Sequence, residues 1–355
     1  MSPIRNPRRG RGPAGLSVSA RLLTLAVAVI LVGSAGTAVG HPVGAGRGQE
    51  VTTVDHVVPH VSTVPANAGE EVRLFVRERL RREFSRGQGP RRWRVVLFLP
   101  GCCTPSVPAY DLPFQDYSWM GHLAQAGFDV FALDLTGFGL SPRPKMDDPC
   151  NVNPEQQALL VPNPLPAPCD PSYPFQLGNI EADLDEIDTV VKYLQDLRGV
   201  DRVSFVGWSA AAPRIGAYAA RHPEKVDKLF FYAPVYDPKA SSRPPDVLPT
   251  PGFPTRLRTR SQQTSWEGIR CQDQRNPAIA DPLWDTTLDF DPLGRSWGPP
   301  EGVMRIRTTT QFWGWNAEIA RRVESPALTI VGEFDQVAIA RELHEDLGTQ
   351  DKIFV

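Results

Sequence analysis

Residues Gly207-Trp208-Ser209-Ala210-Ala211 set a serine between two small residues, each two positions away. The apolar run Val203 to Val206 precedes this pentad, and a helix-forming stretch from Ala210 to Arg221 follows it. The pattern therefore predicts a strand, a tight turn and a helix, with the serine at the tip. Such a turn forces backbones together, which requires small residues at 207 and 211, and it projects the hydroxyl above the strand ends. A serine hydroxyl is a weak nucleophile until a base takes its proton. The Ala210 N–H, at the positive end of the following helix, points towards the oxygen that becomes negative during acyl transfer. The chemistry implied is attack on a carbonyl carbon through an acyl-serine intermediate.

The elements that must hold this turn are legible on both sides of it. Val51 to Val64 and Glu71 to Leu80 are β-rich, Arg94 to Leu99 is a short apolar run closed by Pro100-Gly101, and Phe128 to Leu135 is another. Lys228 to Tyr232, Ala327 to Val331 and Asp351 to Val355 complete the strands. Between them, Asp116 to Ala126 has helical spacing. From Asn179 onward Ile180, Leu184, Ile187, Val191 and Leu194 fall on one face of a helix about five turns long. Asn179 can cap it, and Glu181, Asp183 and Asp185 suit its positive end. Alternation of this kind predicts an α/β fold: a mostly parallel sheet with helices on both faces. Lys239 to about Gln311 breaks the alternation with proline and polar residues and with Trp266, Trp284 and Trp297. It is expected to be an inserted cap, whose aromatic residues line a pocket or form a satellite core.

From here the chain resembles the α/β-hydrolase fold family over about residues 51–355. The residues that carry the resemblance are Leu97 to Gly101, the stretch from Gly127-Phe128-Asp129-Val130 through Asp134-Leu135-Thr136-Gly137-Phe138-Gly139-Leu140-Ser141, the Ser209 turn, and Val331-Gly332-Glu333-Phe334-Asp335. The resemblance implies a second oxyanion N–H on Cys102, although Pro100 stands where the family usually has histidine. It implies that Asp335 is the acid that orients a histidine, with Glu333 and Asp237 as rivals. It also implies that the core comprises 41–238 and 313–355 and the cap 239–312. A serine at the turn argues against haloalkane dehalogenase and epoxide hydrolase chemistry, which use an aspartate nucleophile.

The family order is serine, acid, histidine, with the histidine in the loop after the last strand. Here the chain stops inside that strand, so a C-terminally truncated product is expected, with the base about 5 to 15 residues beyond Val355. The six histidines present fit poorly: His222 lies about 20 Å along the helix from Ser209, His122 is in an earlier helix, and His41, His56 and His60 precede the core. His344, in the helix after Asp335, is the nearest stand-in.

Residues 1–40 hold five arginines and no acid. Leu22 to Val32 is apolar apart from Thr24 and leads into the small-residue run Ser34 to Gly40. This is the order of a secretory signal peptide, and an uncleaved membrane anchor is the alternative. Export would let Cys150 and Cys169 pair across a loop in which ten residues from Pro142 to Pro174 are proline. Cys102, Cys103 and Cys271 leave an odd count. No C-x-x-C or H-E-x-x-H spacing is present, so neither metal nor cofactor is expected. With 38 basic and 40 acidic side chains the chain has no basic footprint for nucleic acid. The substrate is expected to be a neutral or apolar small molecule. Together these readings predict a secreted or extracytoplasmic serine hydrolase acting on carboxylic esters or related acyl compounds; the alternative is a non-catalytic binding protein of the same fold.

Overall fold

A computed structural model describes residues 50–86, 93–265, 276–309 and 313–355. The N-terminal segment expected to direct export, together with His41, Trp266 and Cys271, lies outside the described residues. Residues 42–355 group as one compact unit.

Eight strands form the main sheet: β1 (Val51–Val61), β2 (Glu71–Arg81), β3 (Val95–Leu99), β4 (Asp129–Leu133), β5 (Val203–Trp208), β6 (Val226–Tyr232), β9 (Ala327–Ile330) and β10 (Lys352–Phe354). Their order is β1-β2-β4-β3-β5-β6-β9-β10. β1 with β2 and β2 with β4 are antiparallel; every later pairing is parallel. Every residue of β3 and β4 is buried. Because successive side chains point to opposite faces, this means both faces are covered.

The main helices are α1 (Trp119–Gln125), α2 (Ile180–Arg198), α3 (Ala212–Arg221), α4 (Ala280–Asp289) and α5 (Val337–Asp346). α2 is the amphipathic helix read from the sequence. Asn179 caps it by accepting from the Ala182 N–H, and Gly199 ends it in a left-handed conformation. Ile180, Leu184, Ile187, Val191 and Leu194 are all in the main core, each such side chain contributing about 1.5 to 3 kcal/mol on burial. Glu181 and Asp183 stand in the first turn of α2 as the sequence indicates, and Asp183 is in addition wholly buried between Arg214 and Arg307.

The insertion carries β7 (Thr255–Arg258) and β8 (Met304–Arg307), paired antiparallel in a small second sheet. Trp284 and Trp297 sit in satellite cores. Trp284 packs with Leu288, Met304 and Ile306, while Trp297 packs with Val152, Leu160, Leu165, Leu257 and Val303. The second of these cores joins the insertion to the proline-rich loop, so that loop and insertion make one layer built from two distant segments. Cys150 and Cys169 are disulfide-bonded at its edge.

Candidate active site

β3 and β5 are neighbours, yet the chain runs on from β3 to β4 on one side and from β5 to β6 on the other. A crevice opens at the carboxyl ends of the strands where such a reversal occurs. Leu99 pairs with Gly207 there, which sets Pro100-Gly101 beside Trp208-Ser209. A Cβ on Gly101 would lie 3.3 Å from the Ser209 Cβ, a contact tighter than most, so glycine eases the close approach of the turn after β3.

Ser209 holds φ at 53°, a left-handed conformation for a residue with a side chain. This costs about 1 kcal/mol or more and persists only because the surroundings fix it. Ser209 to Ala211 form a short 3₁₀ turn before α3, so the helix proper starts at Ala212, two residues later than the sequence pattern indicates. The predicted need for small residues has a direct cause at Gly207, where a Cβ would meet the Ile215 Cδ1 at 2.6 Å. Ala210 lies in the first turn, where backbone N–H groups have no intrahelical partner. Behind it, the Arg214 guanidinium donates to the Ala210 carbonyl at 2.7 Å and to the Asp183 Oδ2 at 2.6 Å.

Arg307, the last residue of β8, donates to both carboxylate oxygens of Asp183 and to the Thr136 carbonyl. Burial alone would raise the Asp183 pKa, but the two guanidiniums reverse this and hold it below the ordinary carboxylate value. Glu186, also buried, accepts from the Thr136 N–H. Burial first, and then the charge of Asp183, push its carboxyl up to about 7.

Cys102, exposed, follows Gly101 directly, and its N–H makes no hydrogen bond to another described residue. Its sulfur is bonded to that of Cys103, a pairing the odd cysteine count left open. Sequence reading also gave no role to Asp134. This buried side chain accepts from the Ser106 N–H at 2.7 Å and so anchors the chain just past the cysteines. Burial raises its pKa. Gly139 closes over it, leaving 1.7 Å between a would-be Cβ and the Asp134 Oδ2. The Gly-x-Gly spacing at 137–139 was the available sign, but only the folded turn reveals the carboxylate beneath it.

Asp335 is exposed in the turn after β9, accepting from the Gln336 N–H at 2.8 Å. Its charge reaches Tyr232, whose phenol is raised by burial first and by Asp335 second. Tyr232 pairs with Trp208 in β5 and with Ile330 in β9, so Asp335 and Ser209 stand at the same end of the sheet with β6 between them. Glu333 is exposed in the same turn. Asp237 is a turn residue after β6 and accepts from the Lys239 N–H.

The described histidines make their contacts elsewhere. His56 bonds Tyr193 and Glu78, and His60 bonds Thr189. His122 is exposed on α1, and His222 stacks against Tyr218 at the far end of α3. His344 packs on Phe354, half-buried rather than on the solvated face its acidic neighbours suggest. Burial lowers its pKa.

Val235 donates its N–H to the Ser209 carbonyl. The loop it begins helps line a cavity of about 910 Å³ whose walls include Pro213, Tyr236, Trp313 and Trp315, with Lys239 and Arg243 also among its lining residues. The aromatic surface on this side therefore comes from Tyr236, just before the insertion, and from Trp313 and Trp315, just after it. Among the described residues, no group of three or more His, Cys, Asp or Glu could hold a metal ion, and no helix is long and apolar enough to cross a membrane.

Residues 94–264 match the protein-family profile described as alpha/beta hydrolase fold. No curated protein sequence matches the chain. Solved structures with a similar fold include the thioesterase domain from the curacin biosynthetic pathway, at 14% identity and a TM-score of 0.47, covering 86% of this chain and 92% of that one. A thermophilic esterase from Thermogutta terrifontis is similar at 13% identity and a TM-score of 0.46, covering 84% and 89%. A serine hydrolase involved in carbazole degradation is similar at 14% identity and a TM-score of 0.45, covering 85% and 89%.

Proposed function

The chain is an α/β-hydrolase-fold protein, and from that premise we propose that it is an exported serine hydrolase. It cleaves carboxylic esters or related acyl compounds through an acyl-Ser209 intermediate. The observation that carries this reading is the left-handed Ser209 at the switch point of the sheet, with the Gly101 backbone against it. Strain of this kind needs a return, and a hydroxyl held clear of the strand ends beside two turns of backbone N–H groups is such a return.

In this mechanism Ser209 attacks the acyl carbon, the Ala210 and Cys102 N–H groups receive the oxyanion, and Asp335 orients the proton acceptor. The leaving alcohol departs and water releases the acid. The near balance of 38 basic and 40 acidic side chains gives no field that would draw in a polyanion and favours a neutral or apolar small-molecule substrate. The basic, apolar, small-residue order of residues 1–40 and two disulfide bonds support export. The second reading, a non-catalytic binding protein of the same fold, is favoured by one observation: each described histidine is engaged or placed away from Ser209.

Incubation with a short-chain nitrophenyl ester and with a fluorophosphonate, followed by intact-mass and peptide analysis, separates the two. The hydrolase reading expects nitrophenol release and a covalent adduct confined to Ser209. Both are lost in Ser209→Ala, with turnover down by several orders of magnitude and the circular dichroism spectrum unchanged. Absence of any adduct on a folded wild-type protein supports the binding protein instead.

A further inference from the structure

Cys102 and Cys103 are adjacent in sequence and bonded to each other. Their surroundings differ sharply. Cys102 is exposed beside the Ser209 turn, whereas Cys103 is 7% exposed and packs with Trp284, Leu288, Met304 and Ile306, all from the insertion. The residues that follow are tied down: Thr104 accepts from Gln263 of the insertion at 3.4 Å, and the Ser106 N–H donates to Asp134. Only Cys102 has neither a packed side chain nor a bonded N–H.

We propose that the Cys102–Cys103 disulfide is a positioning device that holds the Cys102 N–H in place for the oxyanion by anchoring it, through Cys103, to the insertion. The inference rests on the reading of Ser209 as nucleophile. An oxyanion donor must be unbonded in the resting protein yet fixed in direction, because donors that reorient during the reaction lose most of their effect. A hydrogen bond would fix the N–H only by consuming it. A bridge between adjacent residues closes a small ring that contains their peptide bond. The ring fixes the torsions beside that peptide bond, ψ of Cys102 and φ of Cys103, and so ties the Cys102 Cα to Cys103, while the Cys102 N–H, in the preceding peptide, stays outside the ring and unbonded. The apolar cluster around Cys103 then gives that ring a fixed seat. Cys102 and Cys103 are thus positioning residues, and the insertion becomes part of the oxyanion machinery.

The asymmetry of burial makes this a lasting constraint. A glutathione thiolate can reach only the Cys102 sulfur; the S–Sγ bond that forms expels Cys103 as a thiolate, which must then take a proton. That thiolate would emerge among Trp284, Leu288, Met304 and Ile306, where apolar surroundings disfavour charge and make it a poor leaving group.

The test compares the wild-type chain with Cys102→Ala, which keeps both the backbone N–H and the buried Cys103, and with Cys102→Ala/Cys103→Ala. Steady-state kinetics on a short-chain nitrophenyl ester are measured with hydrogen exchange over residues 101–106. In both variants kcat is expected to fall on the order of tenfold to hundredfold, with KM within about twofold. Exchange over 101–106 should rise, and that over β5 and β6 should not. Millimolar glutathione should leave wild-type kcat unchanged. Unchanged kcat without the bridge, or a raised KM at constant kcat, overturns the proposal, and a reversible loss with glutathione overturns its permanence. A wild type that neither turns over ester nor forms a Ser209 adduct refutes the nucleophile reading; the exchange comparison then decides separately whether the bridge constrains the turn, unchanged exchange overturning it.

Discussion

Arg307 and Asp183, 124 residues apart, meet through two hydrogen bonds of 2.6 and 2.7 Å with neither side chain exposed. The pair couples the end of the insertion to the start of α2. Asp183 also binds Arg214, which in turn holds the Ala210 carbonyl, so one carboxylate connects the insertion to the Ser209 turn. Removing Arg307 leaves the buried carboxylate one of its two guanidinium partners, and removing Asp183 leaves two buried guanidiniums without it.

Arg307→Met is therefore expected to destabilise the protein by about 3 to 5 kcal/mol, read as a lower urea midpoint at unchanged slope. Asp183→Asn together with Arg307→Met should cost less than the sum of the two single changes, because the interaction between the two side chains is lost only once. Strict additivity would show that the two side chains do not act as a pair.

Glu186 gives a pH dependence with a defined sign. Its carboxyl stands at about 7 in the folded protein against an ordinary 4.5, so the folded state binds this proton more tightly than the unfolded chain. The contribution to stability is fully present below about pH 4.5 and is lost as pH rises through about 7. Glu186→Gln preserves an acceptor for the Thr136 N–H and removes the titration. Its unfolding free energy should fall less steeply than that of the wild type between these two values, and parallel curves would refute the assignment.

Gly139 has φ of 49° and no room for a Cβ above Asp134. Gly139→Ala should cost on the order of 3 kcal/mol or more. It should also loosen the Ser106 end of the turn after β3, visible as faster hydrogen exchange over residues 104–110. A fully stable variant with unchanged exchange would show that the turn does not rely on this close approach.

Cys150 and Cys169, 19 residues apart, are bridged beside the core shared by the proline-rich loop and the insertion. Non-reducing peptide mapping of the protein produced under oxidising conditions should recover them linked. Replacing both with alanine should lower stability by about 3 kcal/mol through the freer unfolded chain. Recovery of both as free thiols in that protein would rule out the bridge.

The sequence by itself determined the strands, the long helix and the Ser209 turn, because each depends on local spacing. Ile180 to Leu194 bury one stripe at helical period, β3 throughout and β4 after Asp129 are apolar because both their faces are covered, and Gly207 and Ala211 must be small to let the Ser209 turn form. Tertiary structure decided what depends on partners far apart in the chain. Asp183 looks like a helix-start acid until Arg214 and Arg307 enclose it, and Asp134 looks like an ordinary turn residue until Ser106 and Gly139 close on it. Trp284 and Trp297 can be assigned to satellite cores only once the insertion has folded. Cys102 and Cys103 could equally have sought Cys271 by composition; in the fold they pair with each other, one sulfur at the surface and the other seated against the insertion. Periodicity encodes which face of an element is buried, but it carries no information about which distant charge or side chain arrives to meet that face.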